Sequence, residues 1–578
     1  MTIKTADVLI VGGGSSGLWA AKRIKELDPK RSVLIVDKGP LDWGGLMSMC
    51  GGDMVVVMPD ENVDDWVEEL TYYWDGLCEQ DVVEEVLRRS YDRFLDYQRF
   101  GCNFFKQEDG TLKSVPQRGL KHCKLYPAQF KGTGGEDMVR GILGEVKKLG
   151  AERMGRTLVT DILKEDGRAV GAVGFDTING DFYVFRANAI LIATGQAEWK
   201  PAYHQNTATG EGMEMAFRAG VELRNFEFVK VWNVPKDFTW EGQTTLLPLG
   251  GRFVNALGEP FMDKYMPSPG SNTDPHYITR AMALETRAGR GPIYFDISRI
   301  RAEDMGLIVP QSGWQLLNYQ KLVAQGMDLI NGPKMEWIPH LQDTCGGIRT
   351  DLWGATAVPG VFAAGRARSI DPGVYIGGFA MCTTAVTGHM TGEAIVEYLA
   401  GLPGEPPAPD EALVEECRRR LYRPLGRKGV EPSLVLRALR EILFPYDVCI
   451  LKSEASLTRA LEELERVKAD LMPDMAAADP HYLMKLREVM GMAMAAELYL
   501  KASLLRTESR AGHFREDHPG RDKDGPYWIV IGGGGEGAPW FRKEPVPVAR
   551  YKHPVDRFYS DLFDLTGGGN RNNEKETR

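Results

Sequence analysis

The chain has 578 residues, of which 43% are hydrophobic and 26% charged, and a formal net charge of −10. That balance suits a large soluble core and argues against a nucleic-acid partner, whose phosphates require a basic face. No apolar run approaches the ~18 residues that span a bilayer, and the first apolar stretch is interrupted by glycines instead of forming a signal peptide; the expected location is the cytoplasm.

Residues 7–38, DVLIVGGGSSGLWAAKRIKELDPKRSVLIVDK, predict a complete β-α-β unit. An apolar strand enters Gly12-x-Gly14-x-x-Gly17, a helix follows, and a second strand ends at Asp37. Gly12 permits the tight turn, Gly14 admits a pyrophosphate to the backbone, and Gly17 lets the helix pack on the strand. The helix N-terminus offers N–H groups and a positive dipole end to phosphates, and Asp37 is placed to accept from a ribose. The glycine pattern alone leaves the dinucleotide open.

Farther along, residues 168–195 place two alternating runs around Asn179-Gly180, a type I′ hairpin signal, followed by the continuous apolar strand NAILIATG. TATGEGMEMAFRAG (207–220) reads as a turn and helix, VPGVFAAGRARSI (358–370) as another apolar strand, and 377–399 as a long helix. Residues from about 231 to 344 are richer in proline and aromatics and irregular in period, which predicts an inserted domain. After the linker GLPGEPPAPDEA (401–412), three- and four-residue apolar spacing predicts helical hairpins through about 510. YWIVIGGGGEGAPWF (527–541) imitates a second glycine fingerprint, but Pro539 blocks the helix a phosphate site needs; a hairpin or loop is expected there. The tail TGGGNRNNEKETR is expected to be disordered. The eight cysteines (50, 78, 102, 123, 345, 382, 417 and 449) form no CxxC pair. They are expected to be reduced thiols, and no metal site is expected.

The ATG strand, the TGEG turn and the PGVFAAG strand together resemble the flavoprotein superfamily of fumarate reductase and succinate dehydrogenase. So do RTESRAGHFREDHPGRD (506–522), GGRFVNALGEPFMDKYMP (250–267) and ITRAMALETRAGRGP (278–292). Within it, residues 171–195 and GRGPIYFD are most similar to the alpha subunit of adenylylsulfate reductase. The resemblance implies an α/β fold: a Rossmann-like bipartite FAD-binding domain with an inserted α+β capping domain and a C-terminal helical domain. The expected segments are 1–230 and 345–403 for FAD binding, 231–344 for the cap, 411–515 for the helical domain and 516–578 for a C-terminal extension.

The resemblance also implies FAD as cofactor, with Gly12, Gly14 and Gly17 at the pyrophosphate, and Asp37 and Lys38 at the ribose end. The loop 44–53, carrying Gly45, Cys50, Gly51 and Gly52, is expected beside the isoalloxazine. It lacks the histidine to which succinate dehydrogenases link their flavin, so noncovalent binding is expected. Val159 is assigned to the adenine, Ala193, Thr194, Gly195 and Glu211 to the ribityl side, and Gly365 and Gly378 to the pyrimidine end. The implied function is an FAD-dependent oxidoreductase subunit exchanging electrons between a small substrate at flavin N5 and an iron–sulfur partner. A stand-alone FAD dehydrogenase or enoate reductase acting on a carbonyl-conjugated substrate is the alternative.

Arg280 matches the family's proton-transfer or substrate-clamping arginine on a cap helix. Departures from the pattern surround it. FEFVKVWNVP carries Trp232 and no histidine, Gln342 stands where a histidine is expected, and Tyr375 stands where a dicarboxylate-binding arginine is expected. A dicarboxylate needs several charge-assisted hydrogen bonds, so succinate and fumarate are not the expected substrates. The histidine characteristic of adenylylsulfate reductase is also not evident. Arg280, Tyr375, Trp232 and Gln342 form the candidate catalytic set, with Cys50, Cys345 and His340 as weaker neighbours.

Overall fold

A computed structural model describes residues 1–129, 134–200, 207–237, 246–301, 323–324, 326, 328, 332, 334–370, 372–402, 404–535 and 537–565. The tail 566–578, expected to be disordered, lies outside the described residues. Its organising layer is a seven-stranded sheet. β1 (Thr2–Val11), α1 (Ser15–Leu27) and β2 (Val33–Val36) form the opening unit, with β1 and β2 parallel from Val8↔Val33 to Val11↔Val36. β3 (Glu152–Met154) extends the sheet beyond β2. On its other side β1 pairs with β6 (Phe182–Ile192), which follows β4 (Thr157–Glu165) and β5 (Arg168–Asp176). The central strands are buried on both faces, as near-continuous Val/Ile/Leu runs require.

Two expectations around Asn179-Gly180 are corrected. Only Gly180 takes positive φ (+79°), so the turn is not type I′, which needs it at both central positions. Asp176 instead accepts from the N–H groups of Ile178 and Asn179, and its carbonyl accepts from Gly180 N–H, closing a wider loop. The second hairpin arm and NAILI are also one unbroken strand. Its first half is antiparallel to β5, and its last residues run parallel to Val361–Ala363.

The helix α2 (Glu211–Arg218) covers β4. Residues 229–344 contribute a four-stranded antiparallel sheet in which β7 (Val229–Pro235) pairs with β10 (Glu336–Thr344). β9 (Ile293–Asp296) pairs with β10 and with the edge strand β8 (Arg252–Val254), and α3 (Pro275–Arg287) packs on β7. The long helix α4 (Phe379–Ala400) returns to lie along α1. Their approach is close because Gly388 and Gly392 face the backbone of Ser16 and Ala20. The helices α5 (Glu411–Tyr422), α6 (Pro432–Leu443), α7 (Glu454–Asp470) and α8 (Pro480–Leu505) follow. The glycine-rich segment near 535 joins two antiparallel strands, Tyr527–Gly532 and Trp540–Pro545, so it is a hairpin. No described helix is long and apolar enough to cross a membrane.

Behind β7 the RTESRAGHF segment builds a buried ionic network. Arg506 donates to Glu227 at 2.8 Å and to Glu508, whose second oxygen accepts from Arg510 at 2.9 Å. Arg510 also donates to the Asp75 carbonyl, while the Asp75 carboxylate accepts from the N–H groups of Ala511 and Ser560. Four distant stretches of chain thereby share one desolvated cluster. Arg506→Met would strand Glu227 as a buried charge, Glu508 keeping Arg510, at a cost of about 3–5 kcal/mol. Thermal unfolding should show a correspondingly large loss, and one of under about 1 kcal/mol would contradict this account.

Candidate functional site

A cavity of about 760 Å³ opens where β1, β2 and β6 end, at the carboxyl ends of the strands where open α/β sheets bind ligands. Gly12 turns the chain out of β1 with φ +112°, and a Cβ there would lie 2.4 Å from the Ala193 carbonyl. A Cβ at Gly17 would lie 2.1 Å from the Gly12 carbonyl, so Gly17 sits behind the turn and allows α1 to seat. Gly14 is the N-cap of α1 and offers no side-chain cap; with Ser15 and Ser16 it lines the cavity. The first-turn N–H groups are therefore directed at a ligand space, where a dipole end favours an anion.

Asp37 also lines this end, its carboxylate accepting from Gly13 N–H and Gly39 N–H at 2.7 Å each. Val159, Ala193, Thr194 and Gly195 continue the wall. The buried Thr194 hydroxyl has no partner among the described residues, which leaves a hydrogen bond for a ligand to make. Lys38 and Glu211 reach the cavity but are bonded to each other. The Lys38 ammonium lies 2.5 Å from Glu211 and 2.9 Å from Glu488, and Glu211 accepts from Thr209 at 2.6 Å. Burial opposes the Lys38 charge, but these two carboxylates outweigh it and raise its pKa. This pair thus joins α2 and α8 beneath the cavity floor.

The loop 44–53 places Gly45, Cys50, Gly51 and Gly52 along the opposite wall. Cys50 donates to the Met47 carbonyl at 3.0 Å and its sulfur lies 3.5 Å from that of Met381. Asp53 lies deep in the protein and turns its exposed surface to the cavity; burial pushes its pKa up to about 6. Gly378 is the uncapped N-cap of α4 and brings a second helix terminus to the same space. Gly365 does not line it. A Cβ at that position would meet the Ser16 hydroxyl at 2.5 Å, so Gly365 supports α1 from behind. A cavity with two uncapped helix termini, the Asp37 carboxylate at the end of β2 and an orphaned hydroxyl fits FAD.

The far end is formed by Lys230 and Trp232 on β7, Asp343 on β10, Pro248, Leu249, Arg118 and Tyr375. Trp232 meets the Tyr375 ring edge-on at 4.8 Å, and the Lys230 ammonium lies 5.6 Å from the same ring. Tyr375 N–H donates to Asp274 at 2.7 Å. The other Asp274 oxygen faces His276 Nδ1 at 2.9 Å, and His276 Nε2 lies 2.6 Å from the Val229 carbonyl. The start of α3 thereby fixes the Tyr375 loop to β7. Gln117 adds a second clamp by exchanging two hydrogen bonds with the Gly377 backbone.

Two of the four candidate catalytic residues lie elsewhere. Arg280 is buried against Tyr277, Phe514 and Phe563, with ring distances of 5.3, 4.4 and 5.1 Å, and does not line the cavity. The aromatic segment around Phe563 encloses it, and burial pulls its pKa down. Gln342 is 0% exposed, its amide unpartnered among the described residues. β10 bulges here: Lys230 pairs with Asp343 and Val231 with Leu341, so Gln342 is the extra residue where the two-residue alternation breaks, and Asp343 lines the cavity while Gln342 does not. Cys345 is buried off the cavity, and His340 packs against Phe444 at 5.2 Å. Conversely, Lys230, Asp343 and Arg118 are at the site without having been anticipated. Lys230 was accessible by the same alternation from Trp232; Arg118 lies in an irregular loop with no periodic signal.

The FAD binding domain family matches residues 7–379, and the fumarate reductase flavoprotein C-terminal family matches 438–551. A fumarate reductase (CoM/CoB) subunit of Methanothermobacter marburgensis is 27% identical over 89% of this chain and 94% of its own. The fumarate reductase flavoprotein subunit of Mycobacterium tuberculosis is 27% identical over 90% and 93%. Among solved structures, an E. coli quinol fumarate reductase superposes with a TM-score of 0.84 at 22% identity, covering 95% and 98%. Adenylylsulfate reductase from Archaeoglobus fulgidus superposes with a TM-score of 0.78 at 21% identity, covering 94% and 96%; both show the shared fold.

Asp53 gives this site a pH signature. Its neutral form favours the fold, so its contribution is present below the unfolded carboxylate pKa and is lost as pH rises through about 6. Removing the charge in Asp53→Asn should stabilise the cofactor-free protein by up to about 3 kcal/mol above that range. Melting curves from pH 4 to 8 should show the gap between variant and wild type widening with pH. A gap that narrows would contradict the assignment.

Proposed function

This chain belongs to the family of FAD-dependent flavoproteins that includes the fumarate reductase and succinate dehydrogenase flavoprotein subunits, and from its site we propose that it passes electrons between a small substrate and an iron–sulfur partner protein. The observation that carries the reading is the continuity of one cavity from the Gly12–Gly14 turn to the Trp232–Tyr375 pair. Bound FAD supplies an electron-pair acceptor and donor at N5 of its isoalloxazine. The chain's own groups bind, orient and exclude water.

In this reading the α1 terminus and Gly14 hold the pyrophosphate, Asp37 the ribose, Val159 the adenine, and Thr194 and Gly195 the ribityl side. The terminus of α4 at Gly378 favours negative charge at the pyrimidine end. Gly17, Gly365 and the Lys38–Glu211 pair support these groups from behind. The loop 44–53 contains no histidine, so FAD is held noncovalently. At the substrate end Trp232 provides an apolar edge. Tyr375, its backbone fixed by Asp274, offers a phenol that can donate a proton or hydrogen-bond a carbonyl. The neutral Trp232 and Tyr375 do not form a dicarboxylate clamp, so succinate and fumarate are not the proposed substrates. The cysteines are dispersed, and no group among the described residues could hold a metal; this supports an external electron carrier.

Acid precipitation of the purified protein should release all of its flavin as free FAD; flavin retained in the pellet would contradict noncovalent binding. Tyr375→Phe should lower turnover by about a hundredfold with FAD content unchanged, and unchanged turnover would remove the tyrosine from the chemistry. Purification from the native source should yield an iron–sulfur protein together with the flavoprotein. A homogeneous flavin-only species with full turnover would refute the partner.

A further inference from the structure

The residues that close the far end of the cavity define the charge and shape of what enters. Arg118 is only 6% exposed and lines the cavity. Its buried Nη1 has no hydrogen-bond partner, and no carboxylate lies within ion-pair distance of its guanidinium among the described residues. The other buried arginines of this protein are differently placed. Arg224, Arg506, Arg510 and Arg515 pair with carboxylates, Arg368 donates to the carbonyls of Leu352 and Asp351, and Arg280 is caged by rings; none of these lines the cavity. A guanidinium desolvated without an anion is costly unless a ligand supplies one. Lys230 enters the same space from β7, its ammonium over the Tyr375 ring. The chain around Arg118 and the strand β7, which also carries Trp232, thus bring two cations to the one cavity.

The charge balance limits the ligand. Lys230 pairs with Asp343 in the register of β7 and β10, and both line the cavity. A protein carboxylate therefore stands opposite one of the two cations, so a single carboxylate on the ligand suffices to complete the set. The remaining surface is apolar or aromatic: Trp232, Tyr375, Pro248 and Leu249. A planar guanidinium fork matches a carboxylate in two parallel hydrogen bonds, and the edge-on Trp232–Tyr375 pair leaves flat faces for a conjugated body.

We propose that the substrate is a monocarboxylate with a flat apolar body, its carboxylate held by Arg118 and Lys230 and its body against Trp232 and Leu249. This rests on the oxidoreductase reading above. It separates the protein from dicarboxylate chemistry by one binding subsite instead of two.

The test is a visible-absorbance titration of the FAD-loaded protein with trans-cinnamate, trans-cinnamamide and succinate. Cinnamate should perturb the flavin spectrum saturably, while the neutral amide and succinate bind at least about tenfold more weakly. Arg118→Gln should weaken cinnamate about tenfold or more, Arg118→Lys should restore part of the loss, and Lys230→Met should also weaken it. FAD content and melting temperature of each variant separate a lost contact from misfolding; if Arg118→Gln does not fold, Arg118→Lys and Lys230→Met decide. Equal binding of acid and amide, tighter binding of succinate, no saturable cinnamate response, or variants that bind like wild type would overturn the proposal. The two readings fail separately. Wild type that holds FAD and accepts electrons from dithionite but ignores cinnamate refutes only the monocarboxylate, whereas wild type that holds no FAD refutes the oxidoreductase reading itself.

Discussion

The site depends on how tightly the backbone at the start of α1 is held. The Gly12 carbonyl lies where a Cβ of Gly17 would be, Gly365 lies against the Ser16 side chain, and Gly388 lies against the Ser16 backbone. Each contact is a van der Waals limit rather than an attraction. Together they permit only one position for the first turn, with its unpaired N–H groups toward the cavity. A helix dipole is worth only ~0.3–1 kcal/mol in exposed settings, so its value here comes from aim. A shift of about an ångström in α1 would turn the same groups onto protein.

A second constraint is electrostatic and lies outside the cavity. The cluster of Glu227, Arg506, Glu508 and Arg510 reaches Asp75 through backbone hydrogen bonds, joining the N-terminal helices, the strand β7 and the segment after α8. Such a network gains little net stability over apolar packing, yet it admits very few alternative pairings. Glu227 lies three residues before Lys230 and five before Trp232, so the strand that lines the cavity is held from the rear by ionic geometry. A close approach of Gly512 to His276 Nε2, where a Cβ would lie at 3.2 Å, ties the same segment to the Tyr375 clamp.

Much of this architecture was legible in the sequence because it follows from local rules. The glycine spacing, the acid at Asp37 and the apolar runs each specify a β-α-β unit independently, and they agree. Pro539 was enough to reject the second glycine-rich segment. What escaped was set by register and by distant chain. The unbroken strand from Phe182 to Ile192 could not be inferred from periodicity, because its two halves have different neighbours. Gln342 matches a family position but not a cavity-lining one, since a bulge in β10 that no sequence period announces falls at that residue. Arg280 occupies the expected helix, but of the rings that enclose it only Tyr277 is on α3; Phe514 and Phe563 come from beyond residue 510, and no spacing along α3 predicts them. Arg118 carries no pattern and became meaningful only once its missing partner was seen.

The ring around Arg280 and Tyr277 is completed by Phe563 and Tyr559, about 550 residues after the glycine turn. At ~5–20 residues per second of synthesis, the glycine turn leaves the ribosome about half a minute to two minutes before these two rings exist. The Arg280 cage, which lies outside the cavity, is thus closed only after every residue that lines the cavity has been made.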